Sequence, residues 1–368
     1  MRDKMLIFGA PYLDQEMEDE VLKCLHSGWW STGPKVTEFE EEIKKLTNAK
    51  HCIAVNSCTA GLHLALLAAN IGPCDEVITS PITWTSTANV IIHAGAEPIF
   101  ADVDPNTGNL DPNSVATMIT PRTRAIIVVH LAGHPCPMDE FTTLASKHNL
   151  TLIEDAAHAL GTYYNNKSIG TIGDIGVYSF HATKNIATGE GGAIVTNNDE
   201  NAEYIRRLAH CGVNKHAWER QVRQDEWQVI SPGYKYNMMD IQAALGLPQL
   251  RKFKDIHNHR GNLWDTYHNK LSQLPVGRPM LTQSHSYHLY QISINNRDRI
   301  KKALYEQNIG TGVHFKPLHL EPFYRHLREQ SLPHAENFGK RTLSLPLTRT
   351  MNENDINDVV SALIVALS

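Results

Sequence analysis

The chain has 368 residues, a hydrophobic fraction of 42% and a formal net charge of −5. That length allows two domains, or one large domain with an appendage, around a sizeable core. The charge balance, without a basic stripe, argues against a nucleic-acid surface, and the 20 histidines are scattered without metal spacing. The six cysteines form no C-x-x-C pair, so free thiols in a reducing compartment are expected. The start, MRDKMLIFGAPYLDQEMEDE, is not a signal peptide, and no run approaches the roughly 20 apolar residues of a membrane span. A soluble cytoplasmic protein that engages neither nucleic acid nor membrane is expected.

In chain order, residues 14–27 and 35–48 read as helices, separated by Gly28-Trp29-Trp30-Ser31-Thr32-Gly33-Pro34. Trp29 suits a hydrophobic plug, whereas Thr32 suits the mouth of a pocket. A regular alternation follows: strand Cys52–Val55, helix Thr59–Asn70, strand Glu76–Thr79, helix Trp84–Ala94, strand Pro98–Ala101 and a helix from near Asp111. Next come strand Ala125–His130, helix Met138–His148 and strand Thr151–Glu154. Strands Ile175–Phe180 and Gly192–Thr196 flank a polar loop. Strands alternating with helices predict an α/β fold, a mostly parallel sheet with helices on both faces. Its ligands should sit at the carboxyl ends of the strands.

The polar segment 211–232 reads as a mobile or partner-facing loop. A helical pattern over Asp240–Leu274 should break at Pro248 and lead into a smaller domain. That domain should hold a strand at His288–Ile294, a helix at Arg297–Gln307, a strand near Thr311–His314 and a final helix at Asn354–Leu367.

Four places carry chemistry. Lys184 lies in the loop SFHATKNIATGEGG. Alone it reads as a surface charge, but desolvation would lower its pKa and free its lone pair for a carbonyl. Ser179 and His181, just upstream, could hold an anion beside that amine. Asn56-Ser57-Cys58-Thr59-Ala60 joins a strand to a helix, which gives either an ordinary N-cap or a phosphate site. Asp155 and His158 end a buried strand, where a carboxylate needs a partner. Mg²⁺, a helix cap and a cationic heterocycle all satisfy that need. Trp84 follows another strand end and suits either core packing or stacking on a planar ring.

Taken together, these parts fit pyridoxal 5′-phosphate (PLP). Cys58, Thr59 and Ser179 form a phosphate cradle, Trp84 a stacking face, Asp155 a partner for the ring nitrogen, and Lys184 the Schiff-base amine. The chain also resembles the nucleotide-sugar aminotransferases of the DegT/DnrJ/EryC1/StrS family over nearly its whole length. The matching segments are SGWWSTGP, VNSCTAGLHLAL, DEVITSPITWTSTAN, AIIVVHLAGHP, LIEDAAHALGTYY, IGDIGVYSFHATKNIATGEGGAIVTN, GYKYNMMDIQAALGLPQL, IGTGVHFKPLHLEPFY and LSLPL. GYKYNMMDIQ, SFHATKN and IGTGVHF are most similar to the branch that makes UDP-4-amino-4-deoxy-L-arabinose.

The resemblance implies a fold-type I, aspartate-aminotransferase-like architecture. Residues 1–248 would form a large PLP-binding domain with the N-terminal segment, and residues 249–368 a small C-terminal α/β domain. Lys184 would carry the internal Schiff base and move the proton. Asp155 would pair with the ring nitrogen, Trp84 would stack on the ring, and His158 would lie near it. Cys58, Thr59 and Ser179 would hold the phosphate, joined by Asn237 from the other subunit of a homodimer. Many relatives carry Arg at that position. Lys235 would face the substrate across the same interface, and Thr32, His314, His319 and Tyr324 are further substrate contacts. No metal is implied.

The implied reaction moves an amino group from L-glutamate, leaving 2-oxoglutarate, to a UDP-linked 4-keto sugar, in two ping-pong half-reactions. Amino sugars of this kind feed cell-surface glycans such as lipopolysaccharide. The motifs leave open pentose or 6-deoxyhexose, 3- or 4-keto, and another nucleotide. They contain no arginine to fork a second carboxylate, so glutamate is expected to rest on Lys235 or a histidine. Two rivals are a dehydratase of the same family and a non-catalytic binding protein. The former carries His at the lysine position, and the latter needs no proton shuttle.

Overall fold

The computed structural model describes residues 2–215, 218, 220, 221, 226–327 and 330–368. The chain opens with α1 (Gln15–His26) and α2 (Pro34–Thr47). Asp14 caps α1, accepting from the Met17 N–H at 3.1 Å. The alternating part holds β1 (His51–Val55), α3 (Cys58–Ala68), β2 (Glu76–Thr79), α4 (Thr85–His93), β3 (Glu97–Phe100), α5 (Pro112–Met118), β4 (Thr123–Val129), α6 (Met138–His148) and β5 (Thr151–Asp155). A two-stranded ribbon, β6 (Tyr163–Tyr164) and β7 (Lys167–Ser168), precedes β8 (Ile175–Ser179), β9 (Gly192–Thr196) and α7 (Asp199–Ala209).

Seven strands form one sheet in the order β1-β9-β8-β5-β4-β2-β3. The run from β8 to β3 is parallel, and β9 is antiparallel to both its neighbours. Both faces are covered, which is why β4 reads as unbroken apolar sequence. Its Ile126 and Val128 face a core shared with Phe39 of α2, Phe141 of α6 and Leu247. Its Ala125 and Ile127 face the opposite core, with Leu62 of α3, Val90 of α4 and Ile205 of α7.

Because β9 runs backwards, β1 and β8 point the same way as β5. The ends Val55, Asp155 and Ser179 therefore lie along one edge, where the loop carrying Lys184 joins β8 to β9. Gly192 makes this edge possible. A Cβ there would stand 2.7 Å from the Cys58 amide nitrogen, so only glycine lets β9 approach the start of α3 this closely.

Helices α8 (Asp240–Arg251) and α9 (Phe253–Lys270) follow. The break falls at Lys252, not at the predicted Pro248, which lies inside α8. Gln249, the next residue, ties the helix to its surroundings. Its side chain bonds Ala187 through N–H and carbonyl and also donates to the Leu245 carbonyl, which anchors that turn to the Lys184 loop. Ile256 of α9 still packs on the first core, whereas Leu263, Trp264 and Tyr267 belong to a separate C-terminal core. That core is completed by the antiparallel pair β10 (Tyr290–Ser293) and β11 (Thr342–Leu345), with α10 (Arg297–Glu306) and a last helix, Glu353–Leu367.

The predicted strand Thr311–His314 does not form. Only Gly312 bridges to Ser344, and the His314 ring turns to the Ser344 hydroxyl at 2.9 Å. Helices α7, Pro322–Leu327 and Pro333–Arg341, and strand β11, went unread in the sequence. Of the segment 211–232, residues 216, 217, 219 and 222–225 lie outside the described residues. On either side of them, Val213 bridges to Val229 and His210 to Lys235. No described helix is long and apolar enough to cross a membrane.

Candidate active site

A cavity of about 610 Å³ opens at the strand-end edge. Among the residues singled out in the sequence, Cys58, Thr59, Trp84, Asp155, His158, Ser179, His181, Lys184 and His314 line it. Lys184 sits in a turn held by its own N–H on the His181 carbonyl at 2.8 Å. Burial lowers its ammonium pKa to about 8, against the opposing pull of Cys58 and Asp155.

Asp155 ends β5 and is 4% exposed. One oxygen accepts from the Thr87 hydroxyl at 2.8 Å and the other from the Ala157 N–H at 3.2 Å. Thr87 bonds in turn to Thr83 at 2.8 Å. Burial raises the carboxyl above its usual range although both hydrogen bonds favour the anion. A cation placed against this carboxylate would relieve that cost.

His158 accepts the Ala132 N–H at its Nδ1, 3.2 Å away. Burial, then Lys184 and His314, pushes its pKa well below the ordinary value. The ring is therefore neutral with its proton on Nε2, a donor. It packs against His288 at 4.4 Å between centroids and lies parallel to Phe315 at 6.0 Å. His288 is fixed by Asn185, the residue after Lys184, at 3.2 Å.

Trp84 is 64% exposed, with the Phe315 ring tilted beside it at 6.4 Å between centroids, so much of the indole is open to the cavity. Tyr324 anchors the turn behind it, bonding the Thr85 hydroxyl and carbonyl and the Asn89 side chain. At the start of α3, Ser57 caps the helix by accepting the Ala60 N–H at 3.1 Å. The N–H groups of Cys58 and Thr59 have no acceptor among the described residues. Two free donors at the positive end of an 11-residue helix suit a phosphate.

Other sequence candidates lie elsewhere. Thr32, Lys235 and Asn237 line a second pocket, of about 210 Å³. Thr32 is not an open contact, because its hydroxyl donates to the Met238 carbonyl at 2.6 Å and accepts from Asn237 at 2.7 Å. Asn237 is 7% exposed, and its side-chain oxygen is buried without a partner in the described chain. His319 and Tyr324 do not reach the cavity, contrary to the substrate roles expected for them. His319 is buried beside Glu336 at 3.5 Å, and Tyr324 packs edge-on against Phe100. Hydroxyl and imidazole groups look alike in sequence whether they cap a buried turn or face a ligand. Thr87, Asn185, His288, Phe315, Arg260 and Arg349 went unread as parts of the site. Thr87, Asn185 and Phe315 had a signal, since they lie in the ITWTSTAN, SFHATKN and IGTGVHF segments.

These donors suit pyridoxal 5′-phosphate. The phosphate would meet the α3 start, the ring nitrogen would face Asp155, the ring would cover Trp84, and the amine of Lys184 is close enough to neutrality to attack a carbonyl. The protein is a PLP-dependent enzyme of fold type I. Comparison with known proteins narrows the class. The chain belongs to the DegT/DnrJ/EryC1/StrS aminotransferase family, whose profile matches residues 11–364. It is 46% identical over 376 aligned residues to the spore coat polysaccharide biosynthesis protein SpsC of Bacillus subtilis, covering 98% of this chain and 97% of that one. Streptococcus pneumoniae Spr1654, solved in PMP and PLP forms, superposes with TM-scores of 0.93 and 0.92 at 29% identity, over 98% of both chains. DesI, solved in the presence of its TDP-sugar product, is 32% identical with a TM-score of 0.89, covering 100% of this chain and 94% of that one. The chain is a sugar aminotransferase.

Proposed function

We propose that the enzyme moves the amino group of L-glutamate to a UDP-linked 4-keto sugar, as a homodimer whose sites are shared. The observation that carries this reading is the cavity itself. It extends from Lys184 and Asp155 to the N-terminal segment Phe8–Tyr12 and the loop at Leu347–Arg349, more room than an amino acid needs. The TDP-sugar product named for DesI supports a nucleotide-linked acceptor. The polysaccharide role in the name of SpsC supports a product destined for a surface glycan.

PLP, when bound, supplies an electron sink that makes the substrate's α-proton acidic. Lys184, with its pKa lowered to about 8, alternates between amine and ammonium near neutral pH, so Nζ can take that proton and return it. Asp155 is clamped by Thr87 and Ala157 and presents a fixed negative charge to the ring nitrogen. His158 stays neutral and offers its Nε2 proton as a donor. Cys58, Thr59 and Ser179 would hold the phosphate, with the partner's Asn237 donating the second N–H of its side-chain amide, the first being given to Thr32. Of the weaker substrate contacts, His314 lines the cavity, and Lys235 would reach the neighbouring site.

A panel of nucleotide keto-sugars with glutamate as donor, read by mass spectrometry, tests the reading. A UDP-4-amino sugar is the expected product, with oxaloacetate a poor acceptor. Efficient amination of oxaloacetate without turnover of any nucleotide keto-sugar would overturn it.

A further inference from the structure

The cavity is also lined by two arginines to which the chemistry above gives no role, Arg260 from α9 and Arg349 from the loop after β11. Arg260 is 5% exposed. Its Nε donates to the Tyr287 carbonyl at 2.9 Å and one terminal nitrogen to the His288 carbonyl at 2.7 Å. Its other terminal nitrogen has no acceptor, and no carboxylate pairs with it, among the described residues. Arg349 lies over the Tyr12 ring, 3.8 Å from its centroid. Its nearest carboxylate is Asp14, at 3.9 Å. Asp14 is already committed, with one oxygen on the N–H of Met17 and the other on Lys252 at 3.0 Å. Arg349 donates no hydrogen bond among the described residues.

Two guanidinium groups thus face one cavity without hydrogen-bonded counter-ions. For Arg260, which is buried, that condition is costly until an anion arrives, whereas Arg349 is half-buried at the cavity wall. A guanidinium stacked flat on an aromatic ring keeps its N–H edge free, and that planar fork matches a carboxylate. The acids in the cavity wall do not fill the need. Asp155 is clamped by Thr87, and Glu190 lies exposed beside His181. A sugar diphosphate is the other anion such a site could meet. Arg220 and Lys235, in the second pocket, are cations that suit it better.

We propose that Arg260 and Arg349 together receive the two carboxylates of a dicarboxylic amino donor. The inference rests on the glutamate reading and replaces the looser contacts expected from Lys235 or a histidine.

The test is calorimetric, on the PLP-loaded enzyme, with unreactive probes. Glutarate carries two carboxylates and butyrate one. Wild type should bind glutarate about 10- to 100-fold more tightly than butyrate. Arg349→Met, which keeps an apolar stem on Tyr12, should reduce glutarate to the affinity of butyrate. Arg349→Lys should recover part of the loss, and UDP binding should stay within about twofold throughout. Equal binding of glutarate and butyrate by wild type, or a glutarate preference that survives Arg349→Met, would overturn the proposal. So would a loss of UDP affinity with glutarate unchanged, which would assign Arg349 to the diphosphate. The glutamate reading fails separately. If a donor panel selects a different dicarboxylic amino acid while glutarate binding still depends on Arg349, the anchor stands and only the donor changes.

Discussion

The strand-edge cavity and the pocket beside Asn237 are built from the same residue types but satisfied differently. In the first, Asp155, His158 and His288 are each already held from behind by their own chain. Thr87 holds Asp155, Ala132 holds His158, and Asn185 holds His288. In the second, Thr32 takes the Asn237 amide nitrogen and leaves the oxygen buried without a partner in the described chain. A buried carbonyl without a partner costs about 1–3 kcal/mol. The difference teaches that a single chain orients the chemistry around Lys184, while Asn237 keeps an acceptor oxygen that only a further donor can satisfy.

The strongest way to break this comparison is to remove the reactive amine. Lys184→Ala should lower transamination by about 10⁴-fold with the fold retained, since proton transfer by a positioned group contributes up to about that factor. Near-wild-type turnover, measured beside an unchanged circular dichroism spectrum, would remove Lys184 from the mechanism.

Asp155→Asn comes next. It keeps the shape of the side chain but not the charge that holds the ring nitrogen protonated. We expect kcat to fall by about 10²- to 10³-fold, the usual cost of losing one preorganised electrostatic contact. Cofactor retention on gel filtration should change far less. An unaltered kcat would rule out the assignment.

The lowered pKa of Lys184 gives a pH test on the cofactor-free protein. The amine is reactive only when neutral, so its arylation by fluorodinitrobenzene should rise about tenfold per pH unit below about 8 and level off above it. Peptide mass spectrometry reads the modified site. A rate still climbing at pH 10 would show that Lys184 behaves as an ordinary exposed lysine.

The smallest expected effect sharpens the second half of the comparison. Asn237→Ala should weaken cofactor binding by about tenfold, the worth of one hydrogen bond to a charged group. Mixed dimers with Lys184→Ala should restore tight binding at one site, where an intact Lys184 faces an intact Asn237. Light scattering that finds an active monomer, or mixed dimers that recover nothing, would show that Asn237 serves its own chain.

The sequence by itself determined the strand–helix alternation and the position of the cofactor residues at strand ends. Both follow from local rules: apolar runs between turn residues fix the strands, and parallel strands bring their carboxyl ends to one edge. Lys184, Asp155, Trp84 and the entry to α3 could therefore be placed from their neighbours in the chain. Pro248 shows where local rules stop. Its missing N–H predicts a break, but the helix runs on to Lys252, with neighbouring Gln249 tied to Ala187 of the Lys184 loop. Only the tertiary structure decided which side chains stand behind the site. Thr87 and Asp155 are 68 residues apart, and Thr32 and Asn237 are 205 apart. Such pairs leave no periodic trace, because they arise where separate elements pack. Arg349 belongs to the same class. In sequence it is one cation in a polar turn, and only the packing of that turn against Tyr12 and away from any free carboxylate brings it to the cavity with its hydrogen-bonding edge unused.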